Sequence, residues 1–295
     1  MSKIKATKQE LYDMYILKNM ASTEIAKKYN CTASAIRYAI KRNNIPIKGR
    51  NGKNPKRINY VNKQYFNKWS INMAYLLGYI SADGCIRPHK YEFTIKSIDY
   101  ELLDFLKDEL ESNFEIKKEK NSNCYVFCVY SGEFVRSLMN RGICHRKTWD
   151  FDLPNIPDRY FWHFLRGYVD GDGSIKPPRD SSKIIGFNIV GHEKFLKKVL
   201  SILEKKIKCT HYSINYNCKS NVNGTLGINS IYAFHCFKKM YDNSYFALGR
   251  KKYLALKSIQ CYQNNLSRDK QCCVCGKIMK NVHFNRKKCD GCKRI

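Results

Sequence analysis

An internal repeat constrains the fold of this chain more than any other feature of its sequence. Residues 75–84 read YLLGYISADG and residues 164–174 read FLRGYVDGDGS, so each copy joins an apolar helical run to an Asp-Gly pair. Further along, FTIKSIDYELLDFL (93–106) matches FNIVGHEKFLKKVL (187–200) in pattern: a strand-like alternation, a break and an amphipathic helix. The duplication predicts two similar halves paired about a pseudo-twofold axis.

Each half contains further strand-like and helical stretches in the same order. The strand-like ones are FEIKKEK and CYVFCVY in the first half, and THYSINYN and LGINSIYAF in the second. A helix follows in each, at GEFVRSLMNRG or CFKKMYDN. We therefore predict an α+β fold of two αββαββα halves, at residues 69–158 and 159–266, with a continuous basic antiparallel surface.

Small residues recur four apart on each repeated helix, and they would let the two helices approach backbone to backbone: Gly78 with Ala82, and Gly167 with Gly171. Gly84 and Gly173 follow the two helices. We expect them to end the helices by adopting positive φ.

Asp83 and Asp172 end the repeated helices, where the helix dipole disfavours an anion by about 0.3 to 1 kcal/mol. If the helices cross at their small faces, the two carboxylates meet and repel each other unless a cation intervenes. Their oxygens, with the main-chain carbonyls of Ala82 and Gly171, would suit Mg²⁺, a metal that acts on phosphodiesters. One Asp-Gly pair alone would indicate only a turn, but two at corresponding places favour a metal site.

The paired motif, at residues 76–84 and 165–173, resembles that of the LAGLIDADG homing endonucleases of the single-chain, two-motif type. The resemblance implies a monomeric, site-specific endonuclease that hydrolyses double-stranded DNA with catalytic Mg²⁺ bound by Asp83 and Asp172. It also implies that the two helices form the interface above DNA held by two four-stranded sheets. The first acidic position departs from symmetry, because Ser81 stands where the second half has Asp170.

The same resemblance implies basic residues near the metals that assist water and transition-state charge. By position these are Arg146, Lys147, Arg250 and Lys251, of which we select Lys147 and Lys251 as catalytic; phosphate contact or a solvated face is the alternative. Other polar side chains of the predicted sheets would contact DNA. They are Arg87, His89, Lys96, Lys117, Lys118, Lys120, Lys176, Arg179, Lys183, Asn215, Asn217 and Lys219.

The overall charge is consistent with a polyanionic partner. Lys and Arg number 54 against 25 Asp and Glu, a net charge of +29. A hydrophobic fraction of 43% excludes the class of disordered basic proteins. No apolar run approaches the roughly 18 residues of a membrane span. Residues 1–68 carry 16 basic and 3 acidic side chains, and within them residues 49–68 have the composition of a basic linker, to which we assign Arg50 as a DNA contact.

Residues 1–48 have the pattern of a helix-turn-helix DNA-binding domain. Apolar residues at helical spacing precede Ser22 and Thr23, two candidate N-caps, and a break at residues 30–31 separates two short helices. Ile36 and Ile40 would be buried, leaving five side chains to face a major groove: Thr32, Ser34, Arg37, Tyr38 and Lys41. A structural helical hairpin is the alternative.

The last segment, residues 267–295, contains two C-x2-C pairs separated by 13 residues: Cys272 with Cys275, and Cys289 with Cys292. This spacing predicts a structural Zn²⁺ site on which the folding of so short a segment depends. The scattered cysteines and an N-terminus without an export signal predict an intracellular protein.

Three functional classes remain open at this point. They are a DNA endonuclease, a maturase-like cofactor that binds intron RNA, and a DNA-binding regulator that does not cleave. Retention of both motif acids favours the endonuclease, because a regulator has no use for two carboxylates placed where they repel.

Overall fold

The computed structural model describes residues 6–47, 59–145, 147, 149–176, 184–216, 223–266, 268–282 and 287–292. The chain divides into two compact units, Met1–Asn59 and Tyr60–Ile295. Six residues with predicted roles lie outside the described residues: Arg50, Arg146, Arg179, Lys183, Asn217 and Lys219.

The first unit is helical. It comprises α1 (Lys8–Tyr12), which continues as a π-helical turn (Asp13–Leu17), α2 (Ser22–Lys28) and α3 (Ala33–Arg42). Ile36 and Ile40 of α3 are buried as predicted, and they pack in one cluster with Leu11 and Ile25. A short turn between α2 and α3 thus brings two amphipathic helices onto a shared core.

The start of α2 differs from our prediction. Its N-cap is Ala21 rather than Ser22 or Thr23. The Ala21 backbone N–H donates to the Glu24 carboxylate at 2.6 Å, so an acid in the first turn satisfies the helix end without a hydroxyl cap. Thr32 does cap α3, accepting a hydrogen bond from the Ala35 N–H.

The second unit contains two successive αββαββα halves. The first runs through α4 (Ile71–Asp83), β1 (Cys85–Arg87), β2 (Glu92–Ser97), α5 (Tyr100–Glu109), β3 (Ile116–Lys118), β4 (Tyr125–Tyr130) and α6 (Gly132–Asn140). The second runs through α7 (Phe161–Asp172), β5 (Gly173–Lys176), β6 (Gly186–His192), α8 (Glu193–Ile207), β7 (Tyr212–Tyr216), β8 (Asn223–Asn229) and α9 (Ser230–Tyr241), followed by α10 (Gly249–Leu266).

Both halves form four-stranded antiparallel sheets of equivalent order, β1-β2-β4-β3 and β5-β6-β8-β7. In each sheet one face is apolar and buried: Phe93 lies opposite Val129, and Phe187 lies opposite Ile228. Successive side chains alternate between faces, so the other face of each sheet is free of the core. The predicted α+β fold class is confirmed.

One predicted strand was assigned too far along the chain. We expected LGINSIYAF to be extended, but β8 ends at Asn229 and residues 230–234 begin α9. Ala233, Phe237 and Met240 are fully buried at spacings of four and three, the period of a helix face. Packing of this face on the core therefore overrides the β-branched and aromatic composition of the segment.

The two repeated helices pack backbone to backbone. A Cβ placed on Gly78 would lie 2.0 Å from the Phe164 carbonyl oxygen, and one on Gly167 would lie 1.9 Å from the Tyr75 carbonyl oxygen. Any larger residue at either crossing would force the helices apart, so the predicted small-residue contact is confirmed. The two reciprocal contacts also show that the helices are related by a pseudo-twofold arrangement.

The glycines after these helices have a different purpose from the one we predicted. Gly84 and Gly173 are extended, with φ of −71° and −86°, so the expectation of positive φ was wrong. A Cβ on Gly84 would instead lie 2.6 Å from the Ile80 carbonyl oxygen, and one on Gly173 2.5 Å from that of Val169. Glycine is needed at both positions because the backbone passes close to a carbonyl oxygen of the last helical turn as it leaves the helix and enters the strand.

Candidate active site and nucleic-acid interface

Asp83 and Asp172 are the last residues of α4 and α7, and each lies where its helix leads into the first strand of its sheet. The close helix contact brings them to the same end of the pair. Asp83 Oδ2 lies 3.3 Å from the position that a Cβ on Gly171 would take, beside Asp172 in the chain. Both residues keep part of their surface exposed to solvent, although the surrounding protein partly desolvates their carboxyl groups.

The two carboxyl groups share an electrostatic environment. Burial raises the pKa of Asp172 above its usual range, and the negative charge of Asp83 raises that pKa further. Burial also raises the pKa of Asp83, while a hydrogen bond with Tyr79 and the charge of Lys147 lower it. Asp83 and Asp172 are therefore close enough to repel each other, in surroundings that disfavour two negative charges.

Lys147 closes the end of α4. Its Nζ donates to three successive carbonyl oxygens, those of Ile80, Ser81 and Ala82, at 2.8, 2.7 and 2.9 Å. These are carbonyls of the last turn, where main-chain donors run out, although that of Ile80 also accepts from the Gly84 N–H. An ammonium at this position also neutralises the negative end of the helix dipole.

Lys251, near the start of α10, does the same for α7. Its Nζ contacts the carbonyl oxygens of Val169, Asp170 and Gly171 at 2.6, 2.6 and 3.1 Å, and that of Gly173 at 2.9 Å. The first three are the repeat equivalents of the Lys147 acceptors. The two halves therefore place an ammonium group at the same position, although Lys147 lies in the connection between α6 and α7 and Lys251 lies on α10.

Both lysines are buried enough to lose affinity for their proton. Burial lowers the pKa of Lys147 and of Lys251 to about 8, and the charges of Asp83 and Asp172 oppose this shift in both cases. An ammonium group has three N–H bonds, and the main chain accepts all three in each half. The carbonyls of Ala82 and Gly171, which we predicted as metal ligands, are among these acceptors.

The departure from symmetry at Ser81 and Asp170 has a structural consequence. Ser81 donates to the Leu77 carbonyl within its own helix. Asp170, 1% exposed, accepts hydrogen bonds from the Tyr75 and Tyr241 hydroxyls and from the Leu248 N–H, at 2.7–2.8 Å. Asp170 thus joins α4, α9 and the chain just before α10, which carries Lys251.

Sequence reasoning missed the partners of Asp170, and it missed the partner of Arg250. The Arg250 guanidinium donates to the Asp99 carboxylate, with Nη2 3.1 Å from Oδ2. This ion pair joins the second half to the first. No local pattern marks Asp99, because it lies 151 residues from Arg250.

The predicted DNA contacts on the sheets fall into two groups. Arg87, Lys96, Lys117, Lys176 and Asn215 are exposed and lie on strand positions that alternate with the buried ones, so they share the free faces of the two sheets. Lys118 alternates to the other side of β3, and Lys120 and His89 lie beyond the strands, although all three are exposed.

The helical unit presents its own polar face. Thr32, Ser34, Arg37, Tyr38 and Lys41 are all exposed on or just before α3, on the side away from Ile36 and Ile40. Tyr38, with 69% of its surface exposed, is a large aromatic side chain held in solvent. The arrangement could contact a groove or another surface.

The last described segment forms a two-stranded ribbon, β9 (Arg268–Gln271) with β10 (Ile278–Val282), followed by a short turn at Asp290–Cys292. The four predicted zinc ligands, Cys272, Cys275, Cys289 and Cys292, have all their Sγ atoms within 4.8 Å of one another. The Cys289 N–H points at Cys272 Sγ at 3.3 Å, and backbone donors lower the pKa of Cys272 to about 6. Hydrogen bonds with the neighbouring thiols raise the pKa of Cys292, and four thiols this close together suit a soft divalent metal, which would bind them as thiolates.

Comparison with known proteins agrees with the motif. Residues 70–140 match the family model of the LAGLIDADG-like domain. No curated protein matches the chain, and none of the described helices is long and apolar enough to cross a membrane.

Solved structures that are similar to the chain include those of I-SmaMI, I-AabMI and I-LtrWI. The meganuclease I-SmaMI bound to an uncleaveable DNA is 17% identical, with a TM-score of 0.45 over 63% of this chain and 88% of that one. I-AabMI bound to uncleaved DNA is 15% identical, with a TM-score of 0.45 over 64% and 89%. I-LtrWI bound to target DNA is 15% identical, with a TM-score of 0.40 over 68% and 90%.

The match to the LAGLIDADG-like domain, residues 70–140, covers the first of the two motif helices and the four strands that follow it.

Proposed function

We propose that this protein is a site-specific endonuclease of the LAGLIDADG homing type, which hydrolyses double-stranded DNA with divalent metal inside the cell. One observation carries the proposal. Two pseudo-equivalent helices bring Asp83 and Asp172 together at the point where each helix leads into an antiparallel sheet with a free polar face. A duplex has two strands to cut and two grooves to contact, and this arrangement is duplicated in the same way.

The residues present fit a divalent cation. The carboxylates of Asp83 and Asp172 repel each other, and a Mg²⁺ ion between them would relieve that repulsion. The carbonyl oxygens of Ala82 and Gly171 retain a second lone pair beside their lysine contacts, so they could complete a set of hard oxygen ligands. When bound, Mg²⁺ would activate water and stabilise the attacking and leaving oxygens at the phosphorus.

Lys147 and Lys251 would act as fixed positive charges in this site. All of their N–H bonds are directed at main-chain carbonyls, so they hold the ends of α4 and α7 in place rather than transfer protons. Their charge stabilises the ionised form of Asp83 and of Asp172. It would also favour the extra negative charge of the transition state at a scissile phosphate.

The free faces of the two sheets would bind the duplex. Arg87, Lys96 and Lys117 lie on one face, and Lys176 and Asn215 on the other, where they would contact phosphates and base edges. The chain's net charge of +29 supports strong, salt-dependent association with DNA. DNA occupies the solved structures of I-SmaMI, I-AabMI and I-LtrWI.

The two terminal segments would extend the DNA contact. The exposed face of α3 suits the recognition helix of a helix-turn-helix domain, and the four-cysteine cluster suits a structural Zn²⁺ ion in a small module. A maturase that binds intron RNA would also use basic sheets, but it does not require two carboxylates at one point.

Cleavage of DNA by the whole protein tests the proposal. Duplexes selected from a randomised pool are cloned into a supercoiled plasmid and incubated with the protein and Mg²⁺. We expect Asp83→Asn and Asp172→Asn each to abolish cleavage while binding stays within about tenfold, because the change removes a metal ligand and also removes repulsion. Asp108→Asn is the matched control, since it removes the same charge from an exposed position on α5.

Full cleavage by both motif variants would exclude the catalytic assignment. Absence of cleavage by the unaltered protein, together with rescue of a group I intron in a splicing assay, would identify the maturase instead.

A further inference from the structure

A buried acid holds one of the basic side chains on the free face of the first sheet. Arg87 on β1 lies directly opposite Glu92 on β2. Arg87 Nη1 is 2.6 Å from Glu92 Oε1, and the Thr94 hydroxyl donates to the same oxygen at 2.8 Å. Glu92 is 7% exposed, whereas 44% of the Arg87 side chain is exposed.

This ion pair does not serve general attraction to DNA. A carboxylate beside Arg87 cancels its charge and repels phosphate, so it weakens a contact that depends on charge alone. Burying Glu92 also carries a desolvation cost that only a well-directed partner offsets. What the pair does provide is orientation, because the guanidinium is planar and its position is fixed at one nitrogen.

The remaining N–H groups of Arg87 are directed by that anchor. Arginine has five N–H bonds in a rigid fork, and Glu92 occupies only Nη1. The exposed part of the guanidinium is therefore a pre-oriented pair of donors. The comparison on the same face is Lys96, whose ammonium group pairs with Glu119, a more exposed carboxylate, and which has no planar fork.

We propose that Arg87, oriented by Glu92 and Thr94, reads a guanine in the DNA target; this inference rests on the proposed function. Guanine is the base whose major-groove edge presents two acceptors, O6 and N7, which a pair of parallel N–H donors matches. Adenine presents N7 beside an amino donor, so the fork of Arg87 loses one hydrogen bond there. Good bidentate pairs of this kind discriminate by roughly 5- to 150-fold against the wrong base.

Selection of bound duplexes from a randomised pool by the full-length protein tests this assignment. The variants are Arg87→Ala, Glu92→Gln, which keeps the size of a side chain that is almost fully buried, and Lys96→Ala as the control on the same face. Thermal melting shows that each variant is folded. We expect the unaltered protein to select guanine at one position, and Arg87→Ala to lose that preference by roughly 5- to 150-fold there and nowhere else.

The two remaining variants separate orientation from charge. Glu92→Gln should weaken the guanine preference although it removes a negative charge from a DNA-binding face, because Arg87 loses its anchor. Lys96→Ala should lower affinity across all sequences and leave that position unchanged. A uniform loss of affinity in Arg87→Ala with the same selected sequence, or an unchanged guanine preference in Glu92→Gln, would overturn the assignment.

Failure of the proposed function gives a different result. If the protein selects a sequence but does not cut it, the proposed endonuclease function fails. The role of Arg87 is then still tested by the guanine preference at the selected position. A protein that selects no duplex at all refutes both inferences.

Discussion

Replacing Gly78 by alanine tests whether the crossing of α4 and α7 controls both stability and the site. The added Cβ would lie 2.0 Å from the Phe164 carbonyl oxygen and 3.0 Å from the Tyr168 nitrogen. Non-bonded heavy atoms prefer about 3.5 Å or more, so the helices must separate locally by more than about 1 Å. Main chain lies on the far side of the contact, and it cannot move aside as a flexible side chain would.

The net effect is the difference of two opposing terms. Inserting a methyl group into a well-packed contact costs about 1–3 kcal/mol, and we take the upper value because the obstacle is backbone. Alanine in place of glycine within a helix recovers about 1 kcal/mol. A loss of about 2 kcal/mol remains, which corresponds to a Tm lower by roughly 4–8 °C for a unit of this size.

The same shift should reach the carboxylates. Asp83 lies five residues beyond Gly78 on the same helix, about 7.5 Å along its axis. A displacement of about 1 Å at a reacting group can reduce a rate by roughly 100-fold. We therefore expect the cleavage rate to fall by about 100-fold at temperatures below the Tm of the variant, where it is still folded.

Calorimetry of the whole protein measures the change in Tm, and cleavage of plasmid DNA by the whole protein measures the change in rate. Gly249→Ala at the start of α10 is the matched control, because a Cβ there would lie 3.8 Å from Glu101 Oε1, an ordinary contact with a flexible side chain. A Gly78→Ala protein as stable and as active as the Gly249→Ala protein would show that the close contact of α4 and α7 is not required.

Three further predictions concern the carboxylates and the two ends of the chain. In the metal-free protein, burial and the Asp83 charge both raise the pKa of Asp172, so Asp83→Asn should lower that pKa towards the ordinary value near 3.8. Carbon NMR of labelled aspartate measures the pKa of Asp172. An unchanged pKa would mean that the two carboxyl groups do not interact. Cys289→Ser, or chelation, should expose residues 267–295 to protease while residues 60–266 stay resistant, because a zinc site in such a small module supplies about 10 to 16 kcal/mol of its folding energy. Less than half an equivalent of zinc in protein prepared without chelator would exclude the module. Deletion of residues 1–48 should shorten the DNase footprint on the selected target and leave cleavage at high protein concentration, whereas an unchanged footprint would exclude a DNA-reading role for α3.

Features that depend on local spacing could be read from the sequence. The period of the apolar residues predicted the two αββαββα halves, since helix and strand periods are properties of neighbouring residues. The position of Asp83 and Asp172 after a run with small residues predicted that the acids lie at the ends of two closely packed helices. The two C-x2-C pairs likewise predicted four thiols that the structure places together.

Contacts between distant parts of the chain could not be read in this way. Lys147 was selected for its position in the repeat, but its carbonyl partners lie 65–67 residues earlier, and only the packed structure shows that they use all of its N–H bonds. The partners of Asp170 lie 71–95 residues away, and Asp99 lies 151 residues from Arg250. No short-range pattern encodes such pairs, because they form only when each half has folded. The pairs Tyr75–Asp170 and Asp99–Arg250 also require the two halves to pack against each other.

The same distinction holds for conformation. The sequence by itself determined which glycines follow the motif helices, yet positive φ was the wrong reason for them, since the constraint is a main-chain oxygen one turn earlier. It also determined an apolar run at the start of α9 but not its helical form, which the buried face of Ala233, Phe237 and Met240 decides. Local propensities differ by only about 1 kcal/mol per residue, and burial of an apolar face outweighs them, so tertiary packing made the final choice.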